Sequence, residues 1–189
     1  MAISPNLRKY LRSCGTSYDE IPHSRTFASG RAAHAAHVSG KNVAKGVMMR
    51  AGDDYVLAVL PSSRHVDLDR LGANLGCDVR LLSEAEAAMS FPDCEFGAIP
   101  PMGEAYGLDF VIDDDLLDRR LHEDDEIYFE GGDHRTLIAI EGTDWLRMMS
   151  EARHCAFAIC TEAVRRQGCA TNETPHPAGS QDGAQETDR

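Results

Sequence analysis

Residues 43–61 constrain the fold more than any other stretch of the chain. VAKGVMMR (43–50) and YVLAVL (55–60) are apolar runs of strand length, separated by the turn-rich AGDD. Such a pair predicts a β-hairpin. Lys45 does not suit a buried strand, because it sits inside the first apolar run. It either lies on the wet face of a half-buried strand, or points into a pocket where its ammonium handles an anion or a reacting carbonyl.

The remaining pattern surrounds that hairpin with short elements. Residues 4–13 read as a helix, with Leu7 and Leu11 one turn apart. SYDEIPH (17–23) reads as extended, since Pro22 stops a helix from running through it. Residues 28–37 are alanine-rich and helical, and Asp67 to Leu75 is a helix closed by Gly76. VRLL (79–82) is a brief strand, and Ser83 with Glu86 forms a capping box for the helix that follows. LDFVID (108–113), EIYFEG (126–131) and TLIAI (136–140) read as strands; Thr143 or Asp144 is expected to cap a helix through Trp145, Leu146 and Met149. From Cys169 onward the chain is polar and carries Gly and Pro without apolar periodicity, which predicts a disordered tail over 169–189 behind one domain over 1–168. The mixture predicts an α+β (mixed α/β) domain, not a regular βαβ alternation. No GxGxxG follows the first strand and no GxxxxGK[ST] occurs, so nucleotide-binding Rossmann and P-loop folds have no support.

Composition narrows the function classes. No apolar run approaches the roughly 20 residues that cross a bilayer, and MAISPNLRKYLRSC lacks the apolar core of a signal peptide. A cytoplasmic protein without membrane contact is expected. Six cysteines are scattered without a CxxC pair, so neither a zinc site nor a disulfide framework is expected. His34 and His37 are three apart on the expected helix, but no ligand-type residue accompanies them at ligand spacing, and no metal or other cofactor is expected. The net charge is -12, which at first opposes a nucleic-acid partner. It is unevenly spread: residues 1–50 have eight Lys/Arg against two Asp/Glu, while residues 51–150 have seven against twenty-three. A basic first quarter, which includes Lys45, can still present a face to phosphate, or can simply solvate the early helices.

Three further stretches occur in a telling order. VAKGVMM and YVLAVLP lead to HVDLDRLGANLG; LLSEAEAAMSFPDCEFGAIPPMG follows; VIDDDLL and IYFEGGDHRTLIAI come last. In that order and spacing the chain resembles, over roughly residues 18–150, the YbaK family of free-standing relatives of the editing domain of bacterial prolyl-tRNA synthetases. The resemblance implies a curved, mostly antiparallel mixed sheet flanked by helices. It also implies hydrolysis, in trans, of the ester joining a wrong amino acid to the 3′ acceptor end of mischarged tRNA. The family's functional lysine falls on Lys45. Its GxxxP loop falls on Gly97, Ala98, Ile99, Pro100 and Pro101, and its glycine-rich turn on Gly131, Gly132, Asp133 and His134. Many members carry a small polar residue after the lysine, where this chain has Gly46.

The chemistry suits those residues. An aminoacyl ester is already activated, so its hydrolysis needs a placed water, stabilisation of the developing oxyanion and a held substrate. Lysine offers a compact charge to the terminal phosphate or the ester carbonyl, and a Gly/Pro loop brings rigid backbone groups close to a ligand. No GxSxG or other nucleophile signature is present, and in the family the substrate's own ribose hydroxyl is thought to help activate the water. His134 either orients substrate or water, or is an ordinary turn residue. Asp113 to Asp115 more naturally cap a helix or face solvent. The amino acid removed is not legible, because one methylene is worth only about 1–3 kcal/mol in a pocket. A monomeric deacylase is the expected function; the alternative is a non-catalytic module of the same fold that binds a small ligand or a protein.

Overall fold

The expected hairpin forms the middle of the sheet. In a computed structural model, which describes residues 3–26, 38–118 and 125–160 together with Ala32, His34 and Ala36, strand β2 (Val43–Ala51) pairs antiparallel with β3 (Asp54–Pro61). A two-residue turn joins them, and Gly52 supplies the positive φ of 58° that such turns require. Around them lie α1 (Pro5–Ser13), β1 (Asp19–Pro22), β4 (Arg64–Val66), α2 (Leu68–Leu75), β5 (Val79–Leu81) and α3 (Glu84–Ala88). Then follow β6 (Asp109–Asp113), β7 (Glu126–Glu130), β8 (Thr136–Glu141), α4 (Gly142–Met148), β9 (Arg153–Cys155) and β10 (Ala158–Cys160).

The large sheet has the order β1-β8-β7-β2-β3-β6-β9, with β5 also on β2; β10 and β4 form a small second sheet. The pairs β2–β7, β3–β6 and β6–β9 are parallel and the other five described pairs are antiparallel. This is the mixed, mostly antiparallel α+β sheet expected. Alternation along the strands divides the core. Met48, Leu57, Val59, Ile112 and Phe129 pack on one face with Leu7, Leu11 and Trp145. Met49, Ala58, Leu60 and Val111 pack on the other with Leu71 and Phe157.

Local signals are met where capping chemistry was explicit. The Ser4 hydroxyl accepts from the Leu7 amide ahead of Pro5, Asp67 caps α2 and Gly76 closes it at φ 75°, and the Ser83–Glu86 box is complete. The cap expected at Thr143 or Asp144 is not there. β8 runs straight into α4, the N-cap is Glu141 without a side-chain bond, and the first helical amide, Gly142, donates instead to the Asp125 carbonyl at 2.7 Å. Asp144 pairs with Arg147. The 28–37 helix, apart from Ala32, His34 and Ala36, lies outside the described residues, as does the 169–189 tail. No described helix is long and apolar enough to cross a membrane.

Candidate functional site

Among the described residues, one edge of β2 lacks a paired strand beside Lys45. One edge of β2 is covered by β3 along its length; on the other edge β7 pairs only with Val43 and Ala44, and β5 only with Met49 to Ala51. The Tyr128 amide donates to the Asn42 carbonyl and the Leu82 amide to the Met48 carbonyl, so even-numbered residues of β2 aim their backbone groups at this second edge. Gly46 therefore presents its N–H and C=O to the interval between β7 and β5. The 97–101 loop runs over it. A Cβ at Gly46 would stand 2.9 Å from Leu57 Cδ1, 3.1 Å from Ile99 Cγ2 and 3.4 Å from the Pro100 oxygen. Glycine after the lysine thus has a packing cause in this chain. Gly46→Val is expected to cost about 1–3 kcal/mol through overpacking. It should also displace Ile99, and the added Ile99→Ala change should recover part of the lost stability in a double-mutant cycle followed by thermal melting.

The 97–101 loop and the 131–134 turn, far apart in sequence, are brought together. Gly97 has φ 83°, and a Cβ there would lie 3.7 Å from His134 Cε1. His134 Nε2 is 2.8 Å from the Phe96 carbonyl. A carbonyl only accepts, so this nitrogen carries the proton and donates, which fixes the ring's orientation. His134 is 4% exposed and holds a φ of 58°, unusual outside glycine. It is not the surface turn residue that one reading of the sequence allowed. Ala98, Pro100 and Pro101 are buried and Ile99 is half-buried.

The turn's conformation is held from below by Glu130. Its Oε1 accepts from the amides of Gly132, Asp133 and His134 at 3.1–3.3 Å. Burial pushes the Glu130 carboxyl above its ordinary value, and the three amides pull partly in the other direction. Asp133 turns inward: its Oδ1 accepts from the Arg135 amide and its Oδ2 from the Thr136 hydroxyl. Gly131 and Gly132 are glycines because a Cβ would meet the Thr136 oxygen at 2.9 Å and Cys94 Sγ at 3.0 Å respectively. Burial raises the Cys94 thiol to about 11, so it is not a thiolate nucleophile at neutral pH.

Lys45 departs from the single shared pocket that the separated motifs suggest. Neighbouring residues of a strand point to opposite faces, and with Gly46 facing Ile99 the Lys45 side chain leaves on the Val47 and Met49 face. Its ammonium donates to the Arg64 carbonyl at 2.6 Å and the Ser62 carbonyl at 3.4 Å. Burial lowers its pKa. Lys45 is thus half-buried and engaged, neither on a wet face nor against Gly97. The Arg64 guanidinium beyond it pairs with Asp115 at 3.1 Å, and a cavity of about 160 Å³ lies there, lined by Lys41 and Arg64 but also by Asp115 and Asp125.

Of the other residues singled out, Asp113 is buried: its Oδ1 accepts from the Asp115 amide, and its Oδ2 from the Phe157 and Ala158 amides. It caps, as expected, and it also holds the 157–158 segment, which the sequence did not suggest. His34 is exposed and His37 lies outside the described residues. Among the described residues no three His, Cys, Asp or Glu side chains converge as metal ligands would. Sequence reasoning missed Glu130; the available signal was a carboxylate ending an apolar strand immediately before Gly-Gly.

Comparison with known proteins agrees with this architecture. The family model for the aminoacyl-tRNA editing domain matches residues 23–148. The hypothetical protein APE2540 superposes with a TM-score of 0.68 at 18% identity, over 82% of this chain and 99% of its own. A candidate trans-editing enzyme for prolyl tRNA synthetase gives 0.65 at 21% identity, over 84% and 99%. A candidate signal transduction protein from Marinobacter aquaeolei VT8 gives 0.63 at 16%, over 88% of this chain but 35% of that one. At these identities the solved structures establish a shared fold. A search of the curated proteins gives no match. The family match covers two-thirds of the sequence, including Lys45, the 97–101 loop and the 131–134 turn, and the chain belongs to the aminoacyl-tRNA editing domain family.

Proposed function

We propose that this protein is a YbaK-type deacylase that hydrolyses, in trans, the ester of a mischarged aminoacyl-tRNA. The observation that supports this most is the interval in β2. There the Gly46 backbone faces an opening framed by the Gly97–Pro101 loop and, through Gly97, by His134. Backbone amides and carbonyls fixed at a half-buried edge of a sheet suit the ammonium and ester of an aminoacyl group. His134 positions the Gly97 end of the loop through the Phe96 carbonyl. Lys45 leaves β2 on the opposite face, and of its two possible partners the terminal phosphate fits better than the ester carbonyl. The reading needs no cofactor and no protein nucleophile, and one chain carries every named residue; the proposed form is a cytoplasmic monomer.

A second reading, a non-catalytic binding module, is favoured by the engagement of the Lys45 ammonium with two backbone carbonyls. Catalytic amounts of protein incubated with tRNA charged with alanine, cysteine, serine or threonine separate the two. Deacylation faster than spontaneous for at least one of these substrates is expected. Rates equal to the spontaneous ones for all four would leave the binding module.

A further inference from the structure

Phe96 is 55% exposed, although its backbone is held on both sides. The Glu95 amide donates to the Gly132 carbonyl at 2.8 Å, the Phe96 carbonyl accepts from His134, and the Ala98 amide returns to the Glu95 carbonyl. Arg25 forms an ion pair with Glu95, which offsets the negative charge beside the ring. A solitary exposed apolar residue is ordinary on a protein surface. This one differs in rigidity and in sequence position: it is an aromatic residue on a fixed turn, immediately before Gly97 of the 97–101 loop. It also stands apart from the exposed Tyr55 and Leu81, which flank Met49 and Arg50 at the hairpin end of β2.

We propose that Phe96 is the stacking platform for the terminal base of the tRNA acceptor end. This deepens the deacylase reading and rests on it. An unpaired RNA base presents a flat π-face whatever its identity, and proteins that hold single-stranded ends stack such bases on aromatic side chains. A base seated on Phe96 would carry its ribose and ester toward Gly97 and the opening at Gly46. Phe96 is therefore a binding residue that acts on KM and not on the hydrolytic step.

The test uses an uncharged acceptor-stem RNA with 2-aminopurine as its terminal base, titrated with the full chain. Stacking on Phe96 quenches the fluorophore. Phe96→Leu is expected to abolish the quench and weaken binding by about five- to a hundredfold, while Phe96→Tyr and Phe96→Trp retain both. Melting curves of all variants should coincide, since the ring is exposed. A quench unchanged in Phe96→Leu, or absent from the wild-type protein, overturns the proposal. The RNA carries no ester, so this outcome is independent of turnover. Quenching without deacylation would sink the deacylase reading alone, and deacylation without quenching would sink the stacking role alone.

Discussion

Lys45→Ala is expected to lower kcat/KM for a mischarged tRNA by about ten- to a hundredfold, the scale of losing one charge-assisted hydrogen bond to the terminal phosphate. It is also expected to lower stability by about 1–2 kcal/mol. The Ser62 and Arg64 carbonyls, which accept from the ammonium, would lose a charged donor at a half-buried position. For a chain of this size that is a melting shift of roughly 2–8 °C. The two effects separate by temperature. Loss of activity well below the melting transition belongs to the chemistry or to phosphate binding, whereas loss that follows unfolding belongs to the staple. Lys45→Met keeps the side-chain length and should restore part of the stability but none of the activity. Lys45→Arg keeps the charge in a larger planar group, and the half-buried position should tolerate it poorly. Full activity of the alanine variant would remove Lys45 from the mechanism.

Glu130→Ala is expected to cost about 2–4 kcal/mol, because three amides of the turn lose their shared acceptor inside the protein. The turn that holds His134 at positive φ would relax, and with it the contact to the Phe96 carbonyl, so deacylation should fall even where the chain remains folded. Glu130→Gln keeps an acceptor oxygen and should be far milder. Its pH dependence has a definite sign. The folded carboxyl is raised above 4.5, so the native state binds the proton more tightly than the unfolded chain does. The stability this contributes is present below the unfolded value and lost as pH rises through the folded one. Across that window the wild type should lose stability relative to the glutamine variant. Parallel melting profiles of the two proteins would show that Glu130 does not titrate differently on folding.

Much of the fold was legible because it was written in short-range chemistry. The hairpin carried its turn residues, α2 its aspartate and glycine caps, and α3 its capping box. The strands β4, β9 and β10 were not legible. Each is three residues long and is placed by distant partners, as when Asp113 accepts from the Phe157 and Ala158 amides. The α4 cap failed for a related reason, since a backbone carbonyl 17 residues upstream does the work a side chain was expected to do. At the site, the meeting of the 97–101 loop with the 131–134 turn could be expected from the resemblance. The direction of Lys45 could not. It depends on the parity of β2 relative to Gly46, and only the ladder to β3 and the contact with Ile99 set that parity.

The location of the site is tested most directly by amide chemical shifts during titration with a non-hydrolysable aminoacyl-adenosine, in which an amide replaces the ester. Perturbations are expected at Gly46, Gly97, Ala98, Ile99 and the 131–134 turn. Shifts confined to the cavity at the far end of the sheet, around Asp54, Val56, Glu151 and Arg153, with Gly46 and the 97–101 loop unmoved, would contradict a deacylation site at the opening of β2.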